Sequence, residues 1–217
     1  MKYPKVKICD VRSPEIAKFC RENSVDFIGL HQIFLPIEKE KIELFKSIKE
    51  VSGSMPIVLV TKIDDIDELT HIICEVSFDY VQLHFATTVD FVKELKQRVR
   101  KEGKREIGVI SVFQANKCDF SLVQEMGKVA DYILFDSFIE GGTGRPISDE
   151  AIKLIVQYCS HLNYFIAGGL NPNNVQITIA KAHPFALDVQ TGVECEKHVK
   201  DKGKIQDFVK AAHTYSD

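Results

Sequence analysis

Three features of the sequence predict an α/β fold, a (β/α)8 or TIM barrel built as a single domain over residues 1–217. Eight short apolar runs are each followed by an amphipathic helical pattern. The links are short, and no linker or low-complexity tract breaks the rhythm. Glycine-bearing turns follow the sixth, seventh and eighth runs. Strand–helix alternation demands parallel strands with right-handed crossovers. An open doubly wound sheet competes with a closed barrel. The count of eight favours the barrel, as do the glycine turns, because such barrels commonly seat phosphate on the loops after strands seven and eight.

In order, residues 6–9 form the first strand, and Ser13 caps a helix with Pro14 in its first turn, running to about Glu22. Strand two is 25–30, followed by an amphipathic helix from Glu38 to about Val51 with Ile42, Phe45 and Ile48 on one side. Strand three is 56–60, and Asp64 or Asp65 opens the next helix. Strand four is 78–84, before a helix with Phe91, Leu95 and Val99 inward that ends near Gly103. Strand five, 106–112, leads to a shorter helix from Asp119 to about Gly127. Strand six is 131–136, and Ser148 caps a helix through Ile152, Ile155 and Tyr158. Strand seven, 164–167, precedes a helix opened by Asn171. Strand eight, 186–189, precedes a last helix carrying Ile205, Phe208, Val209 and Ala212.

With 45% hydrophobic and 27% charged residues, the chain can bury a sizeable core without disulfide or metal staples. A net charge of −3 gives no electrostatic case for nucleic acid or an anionic membrane, so phosphate specificity must come from a local site. No apolar run is long enough to span a bilayer, and the N-terminus lacks the apolar core of a signal peptide. The six cysteines, at 9, 20, 74, 118, 159 and 195, show neither Cys-x-x-Cys nor zinc spacing. The expectation is a reduced, cytoplasmic protein, monomer or homodimer, that binds no metal.

The stretch 165–175 reads as apolar strand, glycine pair and helix start, with Asn171 as N-cap and Pro172 at the first helical position. Bare glycine backbone and a helix N-terminus together can seat a phosphate. The ordinary alternative is a plain strand-to-helix turn. The candidate phosphate-binding residues are Gly142, Thr143 and Gly144 upstream, Gly168 and Gly169 here, and Thr191 and Gly192 downstream.

Cys9 and Asp136 close strands one and six, which suits a substrate held between a base and an acid. A cysteine is a base only as thiolate, and a free thiol of pKa ~8.5 needs a cation or helix N-terminus to reach that state. Taken singly, such a Cys also reads as a small core residue and such an Asp as a helix cap. By strand alternation Gln82 and His84 share a face opposite Val81 and Leu83, so they point into the barrel if the aliphatic pair packs on the helices. Asp188 on strand eight and His31 at the end of strand two are further substrate-binding candidates. Lys93, Lys96, Arg98, Arg100 and Lys101 read as solvated outer faces. Arg12, Lys39, Lys62 and Arg145 lie in loops that can reach a ligand.

Lys7-Ile8-Cys9, Gln82-Leu83-His84, Asp136-Ser137 with Gly141 to Gly144, the run 167–175, and Asp188 to Glu194 with Lys200-Asp201 together resemble the phosphoribosylanthranilate isomerase family, in order and spacing across nearly the whole chain. The resemblance implies a (β/α)8 barrel of tryptophan biosynthesis that uses no metal or organic cofactor and performs an Amadori rearrangement on a phosphoribosyl substrate. It implies Asp136 as the general acid that opens the ribose ring and Cys9 as the general base at C2′. Three departures stand out. Asp10 replaces the glycine after the family's Cys, where its carboxylate would disfavour thiolate if it faced the same way. Phe85 replaces the glycine after Gln-Leu-His. The Ser-x-Arg after strand two, whose Arg meets the anthranilate carboxylate, is absent, leaving Lys39 as a substitute point charge or His31 and Gln32 for a less charged group. Two alternatives follow: a paralogous isomerase of another phosphoribosyl amine or sugar phosphate, and a non-catalytic phosphate-ligand-binding barrel.

Overall fold

Eight parallel strands pair in sequence order and close β8 onto β1, in a computed structural model that describes residues 3–137 and 146–214. The strands are β1 (Lys5–Ile8), β2 (Phe27–His31), β3 (Ile57–Thr61), β4 (Tyr80–Leu83), β5 (Gly108–Gln114), β6 (Tyr132–Asp136), β7 (Tyr164–Ala167) and β8 (Ala186–Val189). The helices that follow them are α1 (Pro14–Glu22), α2 (Lys39–Ser52), α3 (Ile66–Val76), α4 (Val89–Gly103), α5 (Phe120–Met126), α6 (Asp149–Cys159), α7 (Val175–Ala182) and α8 (Lys202–His213). The expected barrel is therefore the fold.

Caps start most helices where the sequence places them. Ser13, Asp65, Thr88, Asp119, Ser148 and Asp201 each accept a backbone N–H of the following turn. Strand residues alternate between two apolar layers. Ile8, Ile28, Leu30, Val81 and Leu83 pack outward against the helices. Phe27, Val58, Val60, Ile110, Leu134 and Phe165 fill the barrel.

The base of the barrel carries a repeated device, an aspartate followed by an aromatic residue where β2, β4 and β6 begin. Asp26, Asp79 and Asp131 accept the N–H of Val6, Ile57 and Val109 at 2.8–2.9 Å, each clipping the start of the preceding strand. Each is also paired with a lysine: Lys5, Lys49 and Lys96. The neighbouring rings of Phe27, Tyr80 and Tyr132 converge inside, with Phe165 and Phe185, at centroid separations of 5.0–6.3 Å. This aromatic floor closes the end away from the strand C-termini.

Some local expectations shift. Val92, not Phe91, is buried on α4; Phe91 packs edge-on to Phe85 instead. On α6 Cys159 is buried while Tyr158 is 45% exposed and stacks on Phe120. Strand five starts two residues later than expected and runs to Gln114. After β8 a 3-10 turn (Thr191–Val193) and a small antiparallel hairpin, β9 (Glu194–Glu196) and β10 (Val199–Lys200), precede α8. Among the described residues no helix is long and apolar enough to cross a membrane.

Phe27 touches three other rings of the floor, so Phe27→Ala should cost about 3–5 kcal/mol. Urea denaturation should show a lower midpoint with an unchanged slope, as expected for a cavity in an otherwise intact barrel.

Candidate active site

The site rises from an ion pair in the barrel's interior. Lys7 on β1 and Asp188 on β8 are register partners, so their side chains enter the barrel side by side. Lys7 Nζ donates to Asp188 Oδ2 at 2.8 Å, both groups almost wholly shut from solvent. Burial works to lower the Lys7 pKa, but Asp188 and Cys9 outweigh it and hold it above its ordinary value. The same ammonium lies 3.5 Å from Cys9 Sγ. Gly29 on β2 leaves the space for this arrangement: a Cβ there would stand 3.0 Å from Cys9 Sγ and 3.2 Å from Lys7 Nζ.

Above the pair, His31 ends β2 with Nε2 3.1 Å from Cys9 Sγ. Its Nδ1 lies 3.6 Å from Asp10 Oδ1. Asp10 is buried and sits in the left-handed region at φ 58°, a conformation that glycine adopts without strain. Its carboxylate turns toward Arg12 Nε at 2.9 Å and His198 Nδ1 at 2.7 Å. Burial works to raise the Asp10 pKa, but Arg12, His31 and His198 overcome it and hold the carboxyl below its usual range. Burial pushes the Cys9 thiol up to about 12, against the pull of Lys7. Lys7 is thus the cation beside the sulfur, but it does not make a resting thiolate. Burial also pushes His31 down to about 4, so its ring is neutral near pH 7.

A cavity of about 530 Å³ opens over these groups at the C-terminal ends of the strands. Of the residues singled out from sequence, Cys9, His31, Gln82, His84, Asp136, Gly168, Gly169, Asp188 and Thr191 all line it. Gln82 Oε1 and Asp188 Oδ1, on two residues that line the cavity, are buried without a hydrogen-bond partner among the described residues, as are Gln32 Oε1 and Thr87 Oγ1 outside it. Asp136 accepts from Ser137 Oγ at 3.3 Å. Gly168, at φ 91°, passes so close that a Cβ would fall 2.2 Å from Ser137 Oγ and 2.9 Å from Asp136 Oδ1. Gly192 does not line the cavity; it packs against the Leu170 carbonyl, which a Cβ would meet at 1.9 Å. Gly142, Thr143 and Gly144 lie outside the described residues, as does Arg145.

Asn171 does not cap a helix. Its Oδ1 accepts from Asn173 N in a local turn, Asn174 Oδ1 accepts from Asn171 N, and α7 begins only at Val175. An Asx turn satisfies the side chain locally and delays the helix by three residues. Lys7 and the hairpin after β8 are the residues that sequence reasoning missed. Glu194 and Lys200 form a buried pair at 2.8 Å, and Lys200 also donates to the Gln190 carbonyl. Lys197 and His198 from the hairpin, and Lys62 after β3, line the cavity. Lys39 does not, and the Gln32 amide is tied to the carbonyls of Phe34 and Pro36.

A thiol, an imidazole and a carboxyl gathered over glycine turns at the strand C-termini define the class: a barrel enzyme of small molecules. Residues 6–211 match the model of N-(5′-phosphoribosyl)anthranilate (PRA) isomerase, and the chain belongs to that family. It is similar to the N-(5′-phosphoribosyl)anthranilate isomerase of Aquifex aeolicus, 32% identical over 221 residues, covering 95% of this chain and 97% of the other. The phosphoribosyl anthranilate isomerase of Thermus thermophilus shares the fold with a TM-score of 0.79 at 22% identity, covering 98% of this chain and 100% of the other. A phosphoribosyl anthranilate isomerase solved with reduced 1-(o-carboxyphenylamino)-1-deoxyribulose 5-phosphate gives a TM-score of 0.72 at 25% identity, covering 97% and 98%.

The depressed His31 pKa has a consequence for stability. Between its unfolded value of 6.5 and its folded value of about 4, the unfolded chain binds the extra proton. This contribution is therefore present above pH 6.5 and is lost as pH falls toward 4. Thermal melts of the wild type should drop across that window, and His31→Gln should flatten the drop.

Proposed function

We propose that the cavity binds N-(5′-phosphoribosyl)anthranilate and rearranges it to 1-(o-carboxyphenylamino)-1-deoxyribulose 5-phosphate by acid–base chemistry. The observation that carries this reading is that Cys9 and Asp136 line one cavity together with Gly168 and Gly169, in a chain of the isomerase family. Asp136 protonates the furanose oxygen, the ring opens, and an iminium forms at C1′. Cys9 takes the C2′ proton, and the C–H electron pair becomes the C1′–C2′ double bond of an enolamine. Ketonisation then yields the product. The unpartnered acceptors Gln82 Oε1 and Asp188 Oδ1 suit ribose hydroxyl donors. The exposed backbone at Gly168 and Gly169, with Thr191, suits the phosphate.

The aglycone half is assigned differently from the family pattern. No Arg lines the cavity among the described residues; its lysines are Lys62 and Lys197. We assign the anthranilate carboxylate to Lys62, whose ammonium acts as a point charge where a guanidinium would bind in bidentate fashion. The same observation favours a second reading, an isomerase of another phosphoribosyl amine with a less acidic aglycone.

Loss of phosphoribosylanthranilate fluorescence on adding protein tests the assignment. Cys9→Ala and Asp136→Ala should each lower kcat by ~10²–10⁴-fold or more. A folded wild type that binds phosphate but turns nothing over would sink it and leave a binding barrel. Lys62→Ala should raise KM roughly tenfold or more, the scale of one charge-assisted hydrogen bond, with kcat little changed. An unchanged KM would move the assignment to the second reading.

A further inference from the structure

Cys9 as a base needs somewhere to send its own proton. A buried neutral thiol already holds one, and a thiol is no base until it gives that proton up. Lys7 cannot take it: the ammonium is itself a donor, to both Asp188 and the sulfur. The group in reach is His31, with Nε2 3.1 Å from Sγ. Its ring is neutral, so one nitrogen has a lone pair to offer. Nδ1 lies 3.6 Å from Asp10 Oδ1, and the nearby negative charge favours the tautomer with its proton on Nδ1 and its lone pair on Nε2, toward the thiol. The order sulfur, imidazole, carboxylate is that of a cysteine nucleophile or base activated by a histidine that a third group orients.

We propose that His31 and Asp10 are positioning residues of a Cys–His–Asp relay, in which His31 Nε2 accepts the Cys9 thiol proton as Cys9 Sγ takes the substrate's C2′ proton. The relay rests on the isomerase reading for its substrate, though not for its geometry. In the step the C2′–H bond breaks and an S–H bond forms, while the old S–H bond breaks and an N–H bond forms on His31. The C–H electron pair becomes the C1′–C2′ bond, and the iminium nitrogen takes the C=N pair. Sulfur therefore never carries an isolated full charge, and what charge develops there meets Lys7 Nζ at 3.5 Å. The imidazolium forms beside a carboxylate already held ionised by Arg12 and His198. On ketonisation the relay returns its proton to C1′, and the C2′ hydroxyl proton restores the Asp136 acid.

The position of Asp10 supports this reading. A side chain stands where the backbone is left-handed, and it is fully enclosed rather than turned to solvent. His31 and Asp10 both come from the loop ends nearest Cys9, on β2 and directly after β1. The other charged or titratable groups facing the pair are Lys7 on β1, Asp188 on β8, Lys200 on β10 and His84 after β4. Arg12 and His198 face Asp10. Three of these groups, Lys7, Lys200 and His84, oppose a charged ring at His31, so the proton rests there only during the transfer.

The test measures Cys9 alkylation by iodoacetamide, read by mass spectrometry of its peptide from about pH 5.5 to about 9.5, beside kcat and KM for phosphoribosylanthranilate. The proteins are wild type, His31→Gln, His31→Asn and Asp10→Asn, each checked for folding by circular dichroism. Both His31 variants should slow alkylation near neutral pH by ~10-fold or more and lower kcat by ~10²-fold, with KM within about threefold. Their alkylation profiles should rise only at higher pH than the wild type's. Asp10→Asn should move both readouts in the same direction by a smaller factor, and it reads the relay if neither His31 variant folds. Wild-type alkylation rates in the folded variants at every pH would overturn the relay, whatever the isomerase assay gives. A wild type without turnover, whose Cys9 alkylation still depends on His31, would keep the relay and remove the isomerase reading.

Discussion

The Lys7–Asp188 ion pair is the constraint on which the upper half of the barrel depends. Two charges removed from water are costly unless each finds the other in good geometry, and breaking such a pair strands a charge in the interior. Here β1 and β8 are the strands that close the barrel, and the pair forms between register partners across that seam. Closure of the sheet and placement of the ammonium are therefore one event. Everything above depends on where that ammonium sits: Cys9 Sγ at 3.5 Å, His31 through Cys9, and the missing side chain at Gly29 that keeps the space open.

The two ends of the barrel are built from opposite materials. Below, three partly exposed aspartates clip strand starts, each with a backbone and a lysine partner, and five rings converge in the interior. Above, polar groups line an open cavity and two acceptors are left unsatisfied. Unsatisfied buried acceptors are expensive, and a ligand that supplies the missing donors offsets that cost. The stiff floor lets the mouth hold such groups without collapsing around them.

Much of this was legible in the sequence, for reasons that differ by residue. Period-two alternation placed Gln82 and His84 inside because Val81 and Leu83 had to face helices, and the structure has them so. Cap residues at Ser13, Asp119 and Ser148 announced their helices through chemistry confined to a few positions. Lys7 was not legible, since a lysine on a strand is ordinarily solvated and only a partner 181 positions away makes burial tolerable. The hairpin from Glu194 to Lys200 was missed because two very short strands carry no periodicity. Asn171 misled because the same side chain that caps a helix can instead close an Asx turn. On α4 and α6 the buried position slipped by one residue, from Phe91 to Val92 and from Tyr158 to Cys159, because a neighbouring aromatic partner at the surface competes with the helical stripe.

Asp10 shows how one substitution reorganises a site without changing the fold. With glycine there, the left-handed turn after β1 would leave the histidine and the hairpin without a common partner. With aspartate, one carboxylate gathers Arg12, His198 and the Nδ1 edge of His31, joining the loop after β1, the end of β2 and the hairpin after β8. The carboxylate turns to Arg12 and these two imidazoles rather than to the sulfur, and it is the last and smallest of the charges acting on Cys9. The feature of the sequence that argued against a basic cysteine therefore works through the imidazole. It favours the ring orientation that leaves a lone pair facing the thiol, and it brings the hairpin's His198 and Lys197 to the same cavity that Lys62 enters from β3.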